Sequence, residues 1–129
     1  MSYLLDTCAL IFMVFAPEKL SELAVQAIQG DNALHVSIVS FWEIMIKQQI
    51  GKLDIDATSA EELRQICDDM GIKIIQTEIE DIDRIRQLPL IKQHGDPFDR
   101  LIICQAQQRH WPVITSDGKF RLYNVRVVW

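Results

Sequence analysis

Tyr3-Leu4-Leu5-Asp6-Thr7 is the stretch on which the reading of this chain turns. Three apolar residues stopped by an acid and a hydroxyl describe a short buried strand running straight into a helix start. The pattern returns downstream. Leu34-His35-Val36 and Lys73-Ile74-Ile75 read as the second and third strands, Pro112-Val113-Ile114-Thr115 as a fourth, and Val125 to Val128 as a short fifth.

Helical segments lie between these strands. Ser21 to Gln29 ends at the turn signal Gly30-Asp31-Asn32. Ser40-Phe41-Trp42-Glu43 has capping-box spacing ahead of a helix to about Ile50, which Gly51 terminates. Ser59 with Glu62 repeats that spacing and opens a helix to about Met70, with Gly71 beyond it. Thr77 with Glu80 starts another, which stops before Pro89. Asp96-Pro97 places an N-cap before proline at the first position of a helix running to about His110. Strands alternating with helices, almost without hairpin signals, predict an α/β fold: a central parallel sheet of about five strands covered by helices on both faces.

Composition bounds the rest. With 129 residues, 49% hydrophobic and 24% charged, the chain has the length and apolar content of one ordinary globular domain and not of a disordered segment. The apolar run Ala9 to Ala16 is too short to span a bilayer, lacks a basic lead-in and follows Asp6, so neither a membrane segment nor a signal peptide is expected. Cys8, Cys67 and Cys104 are odd in number and form no C-x-x-C pair, which fits reduced thiols in a cytoplasm. His35, His94 and His110 are scattered, with no zinc spacing. The net charge of −5, from 13 basic and 18 acidic side chains, speaks against a phosphate-gripping protein unless several acids gather around divalent cations.

Ligands of parallel sheets sit beyond the carboxyl ends of the strands. Asp6 follows the first strand directly, and Asp117 follows the fourth after Thr115-Ser116. Asp99 lies in the first turn of the last long helix and heads the stripe Ile102, Ile103 and Ala106; Glu43 shares a face with Ile46 and Ile50. Carboxylates meeting at such an edge repel one another and must protonate or bind a hard cation, with Mg²⁺ or Mn²⁺ suited to oxygen ligands. A cation held there would polarise a phosphoryl oxygen and orient a water. Each acid alone also has a plain structural role: Asp6 as a helix cap, Asp117 as a turn former with Gly118, Glu43 as a capping-box acid paired with Lys47, Asp99 at a helix N-terminus. Asp96 is read as an N-cap first and a support of the site second. It is the joint placement that points to chemistry.

Leu4-Leu5-Asp6-Thr7, Val36-Ser37-Ile38-Val39-Ser40-Phe41-Trp42-Glu43-Ile44, Ile46-Lys47, Gly51-Lys52-Leu53, Asp96-Pro97-Phe98-Asp99-Arg100 and Thr115-Ser116-Asp117 occur in this order along the whole chain. This ordered set resembles the PIN domain, in particular the VapC-like toxins of type II toxin–antitoxin systems. The resemblance implies a PIN-like three-layer fold and a Mg²⁺- or Mn²⁺-dependent endoribonuclease. It further implies a homodimer, an RNA substrate and a small antitoxin that inserts a segment into the active-site groove. Carried over by position, the catalytic and metal-site acids are Asp6, Glu43, Asp99 and Asp117, supported by Thr7 and by Thr115 or Ser116. Relatives with this opening often carry His after Asp-Thr; here Cys8 takes that place, a small thiol expected to be buried.

Lys47, Lys52, Arg100 and Arg109 are the candidates for phosphate contacts, against the commoner fate of a solvated charge or local ion pair. Trp42 and Phe98 have the chemistry to stack on bases; Trp42 in an apolar helix is expected in the core. Leu88 to Gly95 reads as a loop near the site. Among other doubly wound proteins, a receiver domain would need a phosphoacceptor Asp after the third strand, where Gln76-Thr77 stand, and a haloacid-dehalogenase-type phosphatase would need Asp-x-Asp in place of Asp6-Thr7-Cys8. The remaining rival is a PIN-fold RNA- or protein-binding module without catalysis.

Overall fold

The computed structural model describes residues 1–57 and 59–129. Five strands form one parallel sheet in the order β3-β2-β1-β4-β5: β1 is Ser2–Leu5, β2 Ala33–Ser37, β3 Ile72–Ile75, β4 Val113–Ile114 and β5 Val127–Val128. The helices among the described residues are α1 Thr7–Phe15, α2 Glu22–Gln29, α3 Ile38–Gln49, α4 Ala60–Asp69, α5 Ile79–Arg84 and α6 Pro97–Arg109. This is the predicted α/β architecture with its topological switch at β1, the central strand.

Side-chain alternation along the strands builds the two cores. Tyr3, Leu5, Leu34, Val36 and Ile114 face one side and pack against Leu10 of α1, Ala24 and Ala27 of α2, Phe41 and Ile44 of α3, and Leu63 and Cys67 of α4. Leu4 and Val113 face the other side, where Ile102, Ile103 and Ala106 of α6 meet Phe120. The apolar run at 9–16 is the body of α1, laid on the first core. Among the described residues no helix is long and apolar enough to cross a membrane.

Two helix starts differ from expectation. α3 begins at Ile38, capped by the Ser37 hydroxyl, which accepts from the Val39 amide at 3.1 Å. Strand β2 passes into α3 without a loop, so the strand's last residue does the capping. Ser40 and Glu43 are then three apart within the helix, and their spacing reports a shared inward face. α5 is capped by Glu78, not Thr77, in a box with Asp81, and gives way to a 3₁₀ turn at Ile85–Gln87 before Pro89. Gly51 and Gly71, at φ of 76° and 74°, occupy the left-handed region just past α3 and α4, where a Cβ would be strained.

A candidate metal centre at the carboxyl edge of the sheet

Asp6 is the first residue beyond β1, its amide bonded to the Ile114 carbonyl at 3.1 Å, so the two central strands aim it at the switch point. It is 3% exposed. Oδ1 caps α1 by accepting from the Ala9 amide at 2.8 Å, and Oδ2 accepts from the Thr115 hydroxyl at 2.6 Å. The same Thr115 oxygen accepts the Asp117 amide at 3.0 Å, and Asp117 Oδ1 caps the 3₁₀ turn Gly118–Leu122 through the Lys119 amide at 2.9 Å. Thr115 thereby fixes both strand-end acids; Ser116 beside it is exposed.

Glu43, also 3% exposed, comes from α3. Its Oε1 accepts from the Thr7 hydroxyl at 2.6 Å, and Oε2 is paired with Lys47 one turn on. A hydroxyl has one hydrogen, and Thr7 gives it to the carboxylate, so in the 2.8 Å Thr7–Ser40 contact the Ser40 hydroxyl donates. Asp99 stands in the first turn of α6, its amide donating to the Asp96 cap at 3.0 Å. Its Oδ2 lies 3.1 Å from His94 Nε2, and His94 Nδ1 lies 2.8 Å from the Tyr123 hydroxyl.

One ligand atom each from His94, Asp99 and Asp117 lies within 4.8 Å of the others. Asp6 and Glu43 are outside that trio but close enough to act on it electrically. Burial pushes the Asp6 carboxyl up; its bonds from Thr115 and Ala9 oppose this, the charges of Asp99 and Glu43 add to it, and it comes to about 7. Asp99 is pushed up to about 6 by burial and then Asp96, against the bond from His94, with Glu43 raising it further. Among the described residues Asp6 has no cationic partner and Asp99 has only the His94 ring beside it, and acids so gathered make a site that can take a cation. The donors are mostly hard oxygens, which fits Mg²⁺ or Mn²⁺. Both ring nitrogens of His94 are already engaged, so His94 is placed to orient Asp99, as partners behind metal ligands do.

His94 went unread because it matches no zinc spacing, and Ser40 because it passes for a cap. The legible signal for His94 was its place in the loop two residues ahead of the α6 cap. Two further expectations are corrected. Trp42 is 63% exposed and not in the core. Its ring meets Phe98 edge-on at 5.2 Å, because the inward face of α3 is filled by Phe41, Glu43 and Ile44. Cys8 is exposed, not buried; partial desolvation of its thiol, then Asp6 and Glu43, push it up to about 11, so it stays a neutral thiol. Of the alternatives Thr115 and Ser116, Thr115 makes the hydrogen bond to Asp6.

Of the candidate cations, Lys47 is held by Glu43. Arg100 donates to the Pro89 carbonyl at 2.9 Å and the Tyr123 hydroxyl at 3.3 Å. Arg109 pairs with buried Asp81 at 2.9 Å, where α5 meets α6. Lys52 lies in the exposed turn after α3, and nothing among the described residues draws its side chain to the acids.

A family profile described as the PIN domain matches residues 3–125. Ribonuclease VapC22 of Mycobacterium tuberculosis is 29% identical over 123 residues, which span 92% of this chain and 88% of that protein. Among solved structures, VapBC-1 from nontypeable Haemophilus influenzae superposes with a TM-score of 0.65 at 20% identity, covering 98% of this chain and 96% of that one. A toxin-antitoxin complex from Klebsiella pneumoniae gives 0.59 at 21% identity, with coverage of 98% and 96%. At those identities the likeness is one of fold.

Proposed function

The chain belongs to the PIN-domain family, and from that membership we propose that it is a metal-dependent endoribonuclease, the toxin of a pair whose second member is a small antitoxin. The observation that carries the reading is the meeting of His94, Asp99 and Asp117 beside a buried Asp6 with a raised pKa, at the sheet edge where such folds bind ligands. The relative named a ribonuclease and the toxin-antitoxin neighbour support the activity and the partner. A homodimer working in the cytoplasm on RNA completes the proposal.

Asp6, Asp99 and Asp117, with Glu43, would hold Mg²⁺ or Mn²⁺. Bound there, the ion would supply positive charge for a phosphoryl oxygen and would acidify a water. The remaining work falls to this chain's own side chains. Thr115 holds Asp6 and the Asp117 backbone, Thr7 and Lys47 hold the two oxygens of Glu43, and His94 holds Asp99, so the carboxylates are set before substrate arrives. The reaction is hydrolysis: a water oxygen bonds to phosphorus, the ester P–O bond breaks, and the ribose oxygen leaves with a proton. Lys52, Lys47 and Arg100 are secondary contributors to RNA binding, since two of the three are engaged within the protein.

Millimolar Mg²⁺ or Mn²⁺ should raise the melting temperature, and Asp6→Asn should abolish that rise; an unchanged wild-type melt would sink the metal site. Expression of the wild type alone should stop bacterial growth while Asp99→Asn is tolerated. Equal toxicity of the two would detach any growth effect from the carboxylates.

A further inference from the structure

The side chains directly before two of the site's acids are aromatic, and they meet. Trp42 precedes Glu43 on α3 and Phe98 precedes Asp99 on α6, so the two rings belong to the two helices that carry these acids. The rings touch perpendicularly at 5.2 Å while Trp42 remains 63% exposed. An edge-to-face pair fixes both rings and covers one ring face of four. A large apolar surface is thus held open between the two helices that supply Glu43 and Asp99.

We propose that Trp42 and Phe98 form a stacking platform for an unpaired base of single-stranded RNA next to the phosphodiester at the carboxylates. This rests on the nuclease reading above. The nature of the occupant is set by the features the rim lacks. Lys47 is paired with Glu43, the Arg100 guanidinium keeps its charge but is turned to the Pro89 carbonyl and the Tyr123 hydroxyl, and the chain carries a net charge of −5, so phosphate attraction is the weaker part of the grip. Stacking is the sequence-tolerant, charge-independent way to hold a nucleotide, and it needs a base free of its partner strand. The platform therefore selects loops and unpaired segments over duplex.

The test uses the full-length protein with Mn²⁺ and an unstructured, mixed-sequence oligoribonucleotide that the wild type cleaves. Trp42→Ala should raise KM by about ten-fold or more with kcat within about two-fold, as loss of one base stack predicts, and Trp42→Phe should restore most of the affinity. An oligonucleotide abasic at one position beside the cut should show the same KM loss with the wild type and no further loss with Trp42→Ala. Far-ultraviolet circular dichroism should match the wild type and melting should fall only slightly, because the ring is mostly exposed and loses only its edge contact with Phe98.

Unchanged KM in Trp42→Ala, with normal wild-type cleavage, overturns the platform and leaves the nuclease standing. So does a change of oligomeric state without a change in KM, which would make the ring a contact between copies. A wild type that cleaves no RNA with Mn²⁺ overturns the nuclease and the platform together.

Discussion

At the level of single residues, Asp6 sets the behaviour of the site. Burial raises its pKa most; Thr115 and Ala9 resist, Asp99 and Glu43 reinforce, and it reaches about 7. In metal-free protein the folded state then keeps a proton, between pH 4 and 7, that the unfolded chain has released. Unfolding gives up a proton over that window, so rising pH favours the unfolded form. Denaturant titrations in EDTA should show the wild type losing stability relative to Asp6→Asn as pH climbs from 4 to 7, by up to about 1.4 kcal/mol per pH unit. Saturating Mg²⁺, by holding Asp6 ionised, should abolish this pH-dependent loss in the wild type; a metal-free gap that stays flat with pH would refute the account. Thr115→Val tests the same carboxylate from its partner. It deprives Asp6 of a donor and the Asp117 amide of an acceptor, for a loss of about 1–3 kcal/mol by chemical denaturation. Cleavage should fall as well, since both strand-end acids lose their anchor.

Among the elements, α3 shows how one serine can cap a helix while another, three residues away, reaches the candidate site through Thr7. Ser37 caps the helix and faces the Val39 amide, while Ser40 donates to Thr7, which holds Glu43. Ser37→Ala should cost about 1 kcal/mol, the usual value of an N-cap, with cleavage little changed in the surviving folded protein. Ser40→Ala should do the reverse, a small change in melting with reduced kcat; the opposite pattern would return the capping role to Ser40. Sequence spacing could not separate these serines, because a capping box and one inward helical face share the same three-residue interval. Asp6 and Asp117 were readable, since a parallel strand delivers the residues just beyond it to one known edge. Trp42 and His94 were not. Exposure of Trp42 depends on which α3 face the sheet covers, and the His94–Asp99 contact depends on how the loop from Leu88 to Gly95 folds back.

For the molecule as a whole, the sign of the charge and its occupancy predict how it meets RNA. With −5 net charge and Lys47 and Arg100 both engaged internally, few counterions are displaced on binding. At saturating Mn²⁺, log(1/KM) against log[salt] should fall with a slope shallower than about −2, where each phosphate contact on a single strand contributes about −0.7. A steep slope would mean that a basic surface, Lys52 included, governs association. The hydroxyl of Thr115, reaching back to Asp6, has a temporal side as well. The acid is translated ahead of its anchor by 109 positions. A copy on the ribosome that has not yet reached Thr115 therefore has Asp6 and Glu43 but no assembled centre, so the candidate site can form only after its last anchor has been made.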